Sequence, residues 1–216
     1  VGQTVTHTAP VVAAPADGAA SLADLVADMQ AGRVDVLVIL GGNPVFTAPA
    51  DLDFTGALGK VSTRIHLGLY YDETGELCDW HVPEAHFLES WGDLRSFDGT
   101  VTIQQPLIAP LYDGHQAIEM LSAINGAPGR TPAELLQEFW SSAGQPITTG
   151  AAWRAALHEG FITGTSLMGA SVSAPANDAL SAPAAAGDGL EVVFRPDPHI
   201  LDGRHANNGW LQEAPR

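Results

Sequence analysis

The chain has a single cysteine, Cys78, among its 216 residues. That excludes an internal disulfide, and it excludes an iron–sulfur cluster held by this chain alone. Taken by itself, Cys78 reads as a small buried apolar residue. Cationic side chains are scarce too: nine Lys plus Arg stand against 25 Asp plus Glu, a net charge of −16. Such a balance leaves no electrostatic footprint for DNA or RNA and would be repelled by an anionic lipid surface. It favours solubility or a basic partner. Long apolar runs are missing as well, since none approaches the ~18 residues of a membrane-spanning helix. The opening stretch VGQTVTHTAPVVAAPADGAA has no basic n-region and no initiator Met, so it does not read as a signal peptide. With the abrupt ending WLQEAPR, it reads as one cut end of a fragment of a longer protein.

What is present is a globular composition rich in turns: 45% hydrophobic residues, 23 Gly and 15 Pro. The length suffices for one good core plus part of another. Residues 1–20 read as an extended lead-in. An α/β domain is expected over 21–163. A Ser/Ala/Pro/Gly-rich linker or excursion follows over 164–189. A strand and the start of a further, truncated domain are expected over 190–216. Ser21 is a candidate N-cap for SLADLVADMQ, with Asp24 placed like the acid of a capping box. Residues 34–40 read as a strand buried on both faces, 52–58 as a short helix and 63–70 as a second strand. Helix–strand alternation implies a doubly wound parallel sheet, with 34–40 and 63–69 adjacent and parallel and helix 21–30 packed on one face. Residues 72–80 read as helical turns, 84–91 as an apolar patch and 99–108 as extended. Residues 114–124, 131–140 and 151–159 read as helices, with Thr131, Pro132 and Glu134 forming a capping box. GLEVVFRPDP, 189–198, reads as a strand and 202–210 as a polar loop.

The densest candidate site is Gly41-Gly42-Asn43-Pro44, a tight loop at the carboxyl end of the first strand. Ligands dock at that position in open α/β sheets. Its spacing matches neither a dinucleotide fingerprint nor a P-loop, so on the loop alone a plain strand-to-helix connection is the simpler reading. His66, His81 and His86 cluster with Glu84 and Glu89. The five-residue step from His81 to His86 across Pro83 misses the geometry of a helical metal-ligand pair, so structural hydrogen bonding is the simpler expectation. Capping or solvated roles suit the two glutamates, and no nucleophile elbow is present. In Arg204-His205-Ala206-Asn207-Asn208-Gly209-Trp210, the two Asn and the Trp could edge and stack on a heterocycle, or simply form an Asn-Gly turn.

LVILGGNPVFTAPADLDF, LYYDETGELCDWHVPEAHFLESWGDLRSFDGTVTIQQPLIAPLYDG and HANNGWLQEAPR, in that order, resemble the molybdopterin oxidoreductase superfamily. The likeness covers residues 34–125 and 190–216. It implies the superfamily's third, Rossmann-like domain and a C-terminal segment leading into a truncated β-barrel domain. Within the superfamily the long runs are most similar to the large molybdopterin-like and iron–sulfur subunit of bacterial alternative complex III, a quinol-oxidising respiratory complex. That resemblance implies a periplasmic, peripheral electron-transfer subunit. Its partners would be a quinol-oxidising membrane subunit and cytochrome c subunits. Its iron–sulfur clusters would lie outside this chain, and its molybdopterin-like half would lack the molybdenum cofactor. No catalytic or metal residue is then expected here. Gly41, Gly42, Asn43, Pro44, Asn207, Asn208 and Trp210 would line an ancestral pterin cleft, the two loops facing one crevice. The alternative is a catalytic molybdopterin enzyme of the polysulfide or thiosulfate reductase kind, with these residues on molybdopterin guanine dinucleotide. One departure bears on the choice. Catalytic relatives carry Asn-x-Glu-Gly-Arg where this chain reads Phe97-Asp98-Gly99-Thr100, so a cation suited to an anionic cofactor is replaced by Thr100.

Overall fold

The computed structural model describes residues 4–12, 15–142, 144–173, 189–190, 192–193, 195–201 and 203–213. Residues up to Val172 form one compact unit and those from Ser173 onward a second.

The first unit begins with a short strand, β1 (His7–Thr8), and a helix, α1 (Gly18–Gln30). The helix starts earlier than expected. Asp17, not Ser21, is the N-cap, because its side chain accepts from the amides of Ala19 and Ala20. Gly18 and the alanines after it then complete an extra turn. Strands β2 (Val36–Leu40) and β3 (Thr63–Gly68) are adjacent and parallel, as the alternation implied. Val26 and Met29 of α1 pack with Phe54, Ala57, Leu58 and Val61 to make a core that reaches Leu37 and Ile39. Between the strands run α2 (Pro44–Thr47), a single 3₁₀ turn (Ala50–Leu52) and α3 (Phe54–Leu58). The expected 52–58 helix is shortened because Asp53 adopts the left-handed conformation (φ 48°) and caps α3 by accepting from Gly56 N–H.

Of the one or two helical turns expected over 72–80 there is one, α4 (Glu73–Glu76). Not anticipated is that Trp80–Pro83 is a third parallel strand, β4. Pro83 occupies the last residue of an edge strand, where a missing N–H costs little. The sheet order is β2-β3-β4. The first strand is therefore at an edge and is not enclosed on both faces: Val36 is 56% exposed and Leu40 39%.

The chain then changes style. Strands β5 (Gly92–Arg95), β6 (Val101–Gln104) and β7 (Phe161–Ile162) form an antiparallel sheet. Of these, β5 and β7 were not anticipated. Helices α5 (Ala117–Ile124), α6 (Pro132–Ser141) and α7 (Gly150–Glu159) lie where periodicity placed them, and Thr131 with Glu134 forms the expected capping box. A second core joins Val101, Ile103, Leu136, Trp140, Trp153 and Ile162. A last short strand, β8 (Gly169–Ala170), pairs with β1.

Most of the expected 164–189 linker lies outside the described residues. The described residues of 189–198 carry no strand. Asp197 makes a lone bridge to Leu201, while Val192 is 71% exposed. An apolar run becomes a strand only where a neighbouring strand takes its backbone hydrogen bonds. Among the described residues the second unit holds one helix, α8 (Gly209–Glu213). Among the described residues there is no closed barrel.

Candidate functional site

The carboxyl ends of the three parallel strands gather the polar chemistry of the first unit. After β2 the chain turns through Gly41 (φ 71°) and Gly42 (φ 75°), a left-handed pair that L side chains rarely adopt. Asn43 then precedes α2, with Pro44 at its first position.

Parallel register places His66 of β3 beside His81 of β4. His66 is fully buried. Its Nε2 lies 3.0 Å from the carbonyl oxygen of Gly42, and its Nδ1 lies 3.2 Å from Nδ1 of His81. A carbonyl only accepts, so His66 Nε2 carries a hydrogen. Neutral His66 must then accept at Nδ1, and His81 donates from its own Nδ1. One loop carbonyl thus sets the tautomers of two imidazoles. The fit is close on every side. A Cβ at Gly68 would lie 2.5 Å from His66 Cε1, and one at Gly75 would lie 3.0 Å from His81 Nδ1. Tyr71 meets the His81 ring edge-on, and Asp72 Oδ1 stands 3.9 Å from His66 Nδ1. Burial first, then the neighbouring His66, pushes the His81 pKa down; Asp72 opposes them.

A second network holds the loop from the other side. Asn43 Nδ2 donates to Glu73 at 2.7 Å, and Asn43 Oδ1 accepts from the Thr74 hydroxyl at 2.7 Å. That hydroxyl in turn accepts from Val45 N–H at 3.1 Å. The Asn43 bond holds the Glu73 carboxyl below the usual carboxylate range. Glu84, just past β4, lies against the loop: a Cβ on Gly41 would be 3.7 Å from its Oε2. Burial pushes the Glu84 carboxyl upward, and His66 partly offsets this.

Three of the four predicted loop residues therefore hydrogen-bond neighbours 24 to 31 positions away, and Pro44 opens the helix. His66 and His81 come together, but by a hydrogen bond between ring nitrogens, as structural bonding requires. His86 goes elsewhere and accepts from Leu88 N–H at the start of a 3₁₀ turn. Glu89 is a buried cap, accepting from the amides of His86 and Leu111. Among the described residues no group of three or more His, Cys, Asp or Glu could hold a metal ion. Cys78 is half-buried rather than buried, and desolvation raises its pKa. Sequence reasoning missed Thr74, Asp72 and Glu73. Their signal was the order Asp-Glu-Thr-Gly after a strand, a helix-capping pattern.

In the second unit Asn208 caps α8, its Oδ1 accepting from Leu211 N–H at 3.2 Å. Asn207 is exposed, and Trp210 is 89% exposed.

The residues at the Gly41–Pro44 loop do not fit the pyrophosphate of a pterin dinucleotide. An anion there needs free amides or cations. Gly41 N–H donates to Leu67 O, Val45 N–H to Thr74, and the amides of Phe46 and Thr47 to Asn43 O, which leaves only the Gly42 and Asn43 amides of this loop for an anion, too few for the two phosphates of a pyrophosphate. The facing side chains are the carboxylates Glu73 and Glu84. The cations of this stretch are engaged elsewhere: Lys60 with Gln30 O, Arg64 with Asp79 and Arg95 with Gly99 O. At Thr100, where catalytic relatives carry a cation, the hydroxyl and amide both bond to Asp98.

No protein-family model matches the chain. Over 111 residues, half of its length, it is 28% identical to the menaquinone reductase, molybdopterin-binding-like subunit of Nitratidesulfovibrio vulgaris. The matched part is 16% of that relative's length. The match supports a relation to the molybdopterin oxidoreductases and is consistent with an electron-transfer oxidoreductase.

Proposed function

We propose that this chain is scaffold: part of an electron-transfer subunit in a membrane-associated quinol:acceptor oxidoreductase, with a molybdopterin-like fold that carries no molybdenum cofactor. The observation that carries the reading is the filled and acidic loop end. Asn43, Glu73 and Thr74 are hydrogen-bonded to one another around the loop, and Glu84 stands against Gly41, so carboxylates and not cations face the place a pyrophosphate would use. Bringing phosphate against carboxylates without a cation is costly. The likeness to a subunit named molybdopterin-binding-like supports the same reading. The role left to this fold is to support the cluster-bearing part of the subunit on the periplasmic side. There it would dock a quinol-oxidising membrane subunit and cytochrome c subunits, as in alternative complex III.

Elemental analysis of the full subunit, purified within its complex, tests this. Iron without stoichiometric molybdenum or tungsten is expected. About one molybdenum or tungsten per subunit would overturn the scaffold reading. It would restore the catalytic alternative, in which Gly41, Gly42, Asn43, Asn207 and Asn208 approach the pterin.

A further inference from the structure

The polar cluster behind the Gly41–Pro44 loop has a property that scaffolding does not require. We propose that the His66–His81 pair, one ring buried and one half-buried, is a proton-binding site that latches this loop, taking one proton at His81 Nε2 with the latch intact and opening only on a second.

The hydrogen-bond pattern dictates the order. In the neutral pair, Nε2 of His66 is committed as a donor to Gly42 O, and its Nδ1 is the acceptor for His81. The free lone pair of the pair is on His81 Nε2. A first proton placed there leaves both bonds standing, because His81 keeps donating from Nδ1. A second proton would have to enter at His66 Nδ1. It would set two N–H groups and two positive rings against each other across 3.2 Å. Gly68 and Gly75 are packed against the rings, so a doubly charged pair cannot part within this packing. Its repulsion is relieved only by disrupting that packing, and with it the bond from His66 to the Gly42 carbonyl.

The surroundings suit one positive charge and not two. From the segment after β3 come the Asp72 carboxylate and the Tyr71 ring, and from the end of β4 the Glu84 carboxylate. The β2 loop contributes the Gly42 carbonyl. Glu73 is turned to Asn43, and Arg64, two residues before His66 on β3, is bonded to Asp79. The Cys78 thiol stays protonated because burial raises its pKa. A His81 imidazolium faces the Asp72 carboxylate, while a second charge at His66 would share that carboxylate and otherwise meet only Glu84, whose carboxyl burial favours in its neutral form. Burial of His81, and then the neighbouring His66, lowers the pH at which the first proton enters.

Nitrogen-detected NMR of the imidazole rings in the intact protein, followed as pH falls, tests the proposal. At neutral pH the Nε2–H form of His66 and the Nδ1–H form of His81 are expected. His81 Nε2 should protonate first, while the His66 Nε2–H signal and the slow exchange of the Val45 amide persist. Both should be lost together at a lower pH. In His81→Gln, whose amide can still donate to His66 but has no titrating lone pair, the first step should vanish and the fold remain. In Asp72→Asn, whose amide oxygen can still cap α4 while the counter-charge is gone, the first step should move to lower pH. The proposal is overturned if His66 protonates first, if both rings titrate at one midpoint, or if neither titrates before the protein unfolds. It is also overturned if the Val45 amide loses protection in the first step.

Discussion

Residues 18–85 and 87–162 solve the same problem differently. The parallel half buries aliphatic side chains and Phe54 under one face of its sheet, and crowds its polar groups at the carboxyl ends of the strands. The antiparallel half is built around Trp140 and Trp153, with a half-buried bond from Trp140 Nε1 to Asp93 at its edge. The difference follows from strand direction. Parallel strands bring equivalent ends together, so His66 and His81 meet in register and the loops after β2, β3 and β4 converge. Antiparallel neighbours end at opposite edges, so their loops are divided between two ends. Chemistry gathers in the first half and mechanical stability in the second.

If that division is right, core changes in one half should leave the other standing. Trp140→Ala should have the largest effect, a loss of about 3–5 kcal/mol, because it empties the antiparallel core and strips Asp93 of its donor. Hydrogen exchange should show protection falling in β5, β6 and β7 while β2 and β3 keep theirs. Equal losses in both halves would show a single cooperative core instead.

Gly68→Ala should come next, at about 1–3 kcal/mol. The new methyl group lands 2.5 Å from the buried His66 ring. Denaturant melts followed by circular dichroism should place the loss in the parallel half. An unchanged midpoint would mean that the ring can move aside, and the latch would not be tight.

Thr131→Ala removes the side chain that caps α6 through Glu134 N–H. About 1 kcal/mol is expected, and it should fall on the antiparallel half alone.

The smallest effect, and the sharpest separator, is pH. The folded His81 pKa is depressed below 6.5, so its contribution is present above that value and is lost as pH falls through the folded pKa. Glu84 has the opposite sign. Its folded pKa is raised above 4.5, so its contribution is complete below that value and is lost as pH rises through the folded pKa. Between neutrality and mild acid the two oppose each other. His81→Gln should make the parallel half gain stability on acidification relative to the parent, and Glu84→Gln should make it lose. In the antiparallel half, hydrogen bonds lower Asp98 and Glu134, which act only below the ordinary carboxylate range. Its melts should stay level over the same window.

Much of the fold was legible from periodicity and capping. The pairing of 36–40 with 63–68 and the helices at 117–124, 132–141 and 150–159 carry their signals locally. The third parallel strand was not legible. Trp-His-Val-Pro is four residues long, ends in proline and sits directly after a helical turn, so only its pairing with β3 makes it a strand. The loop at Gly41–Pro44 stood out because glycine and proline mark backbone conformation. Its partners did not, because Glu73, Thr74 and Glu84 reach it through folding and not through spacing. Asp17 was passed over for Ser21 because the alanines between them carry no hydrophobic period, although they are good helix formers.

The distribution of indole rings gives the two halves different optical visibility. Trp140 and Trp153 are buried in the antiparallel core and Trp91 packs against it, whereas the core of the parallel half has no tryptophan. Trp80, on β4, is 67% exposed, so its emission is already that of an indole in water. An intrinsic-fluorescence melt would therefore record the loss of the antiparallel half and pass over an opening of the parallel sheet. A probe that watches the buried imidazoles is needed to see the other half of the molecule.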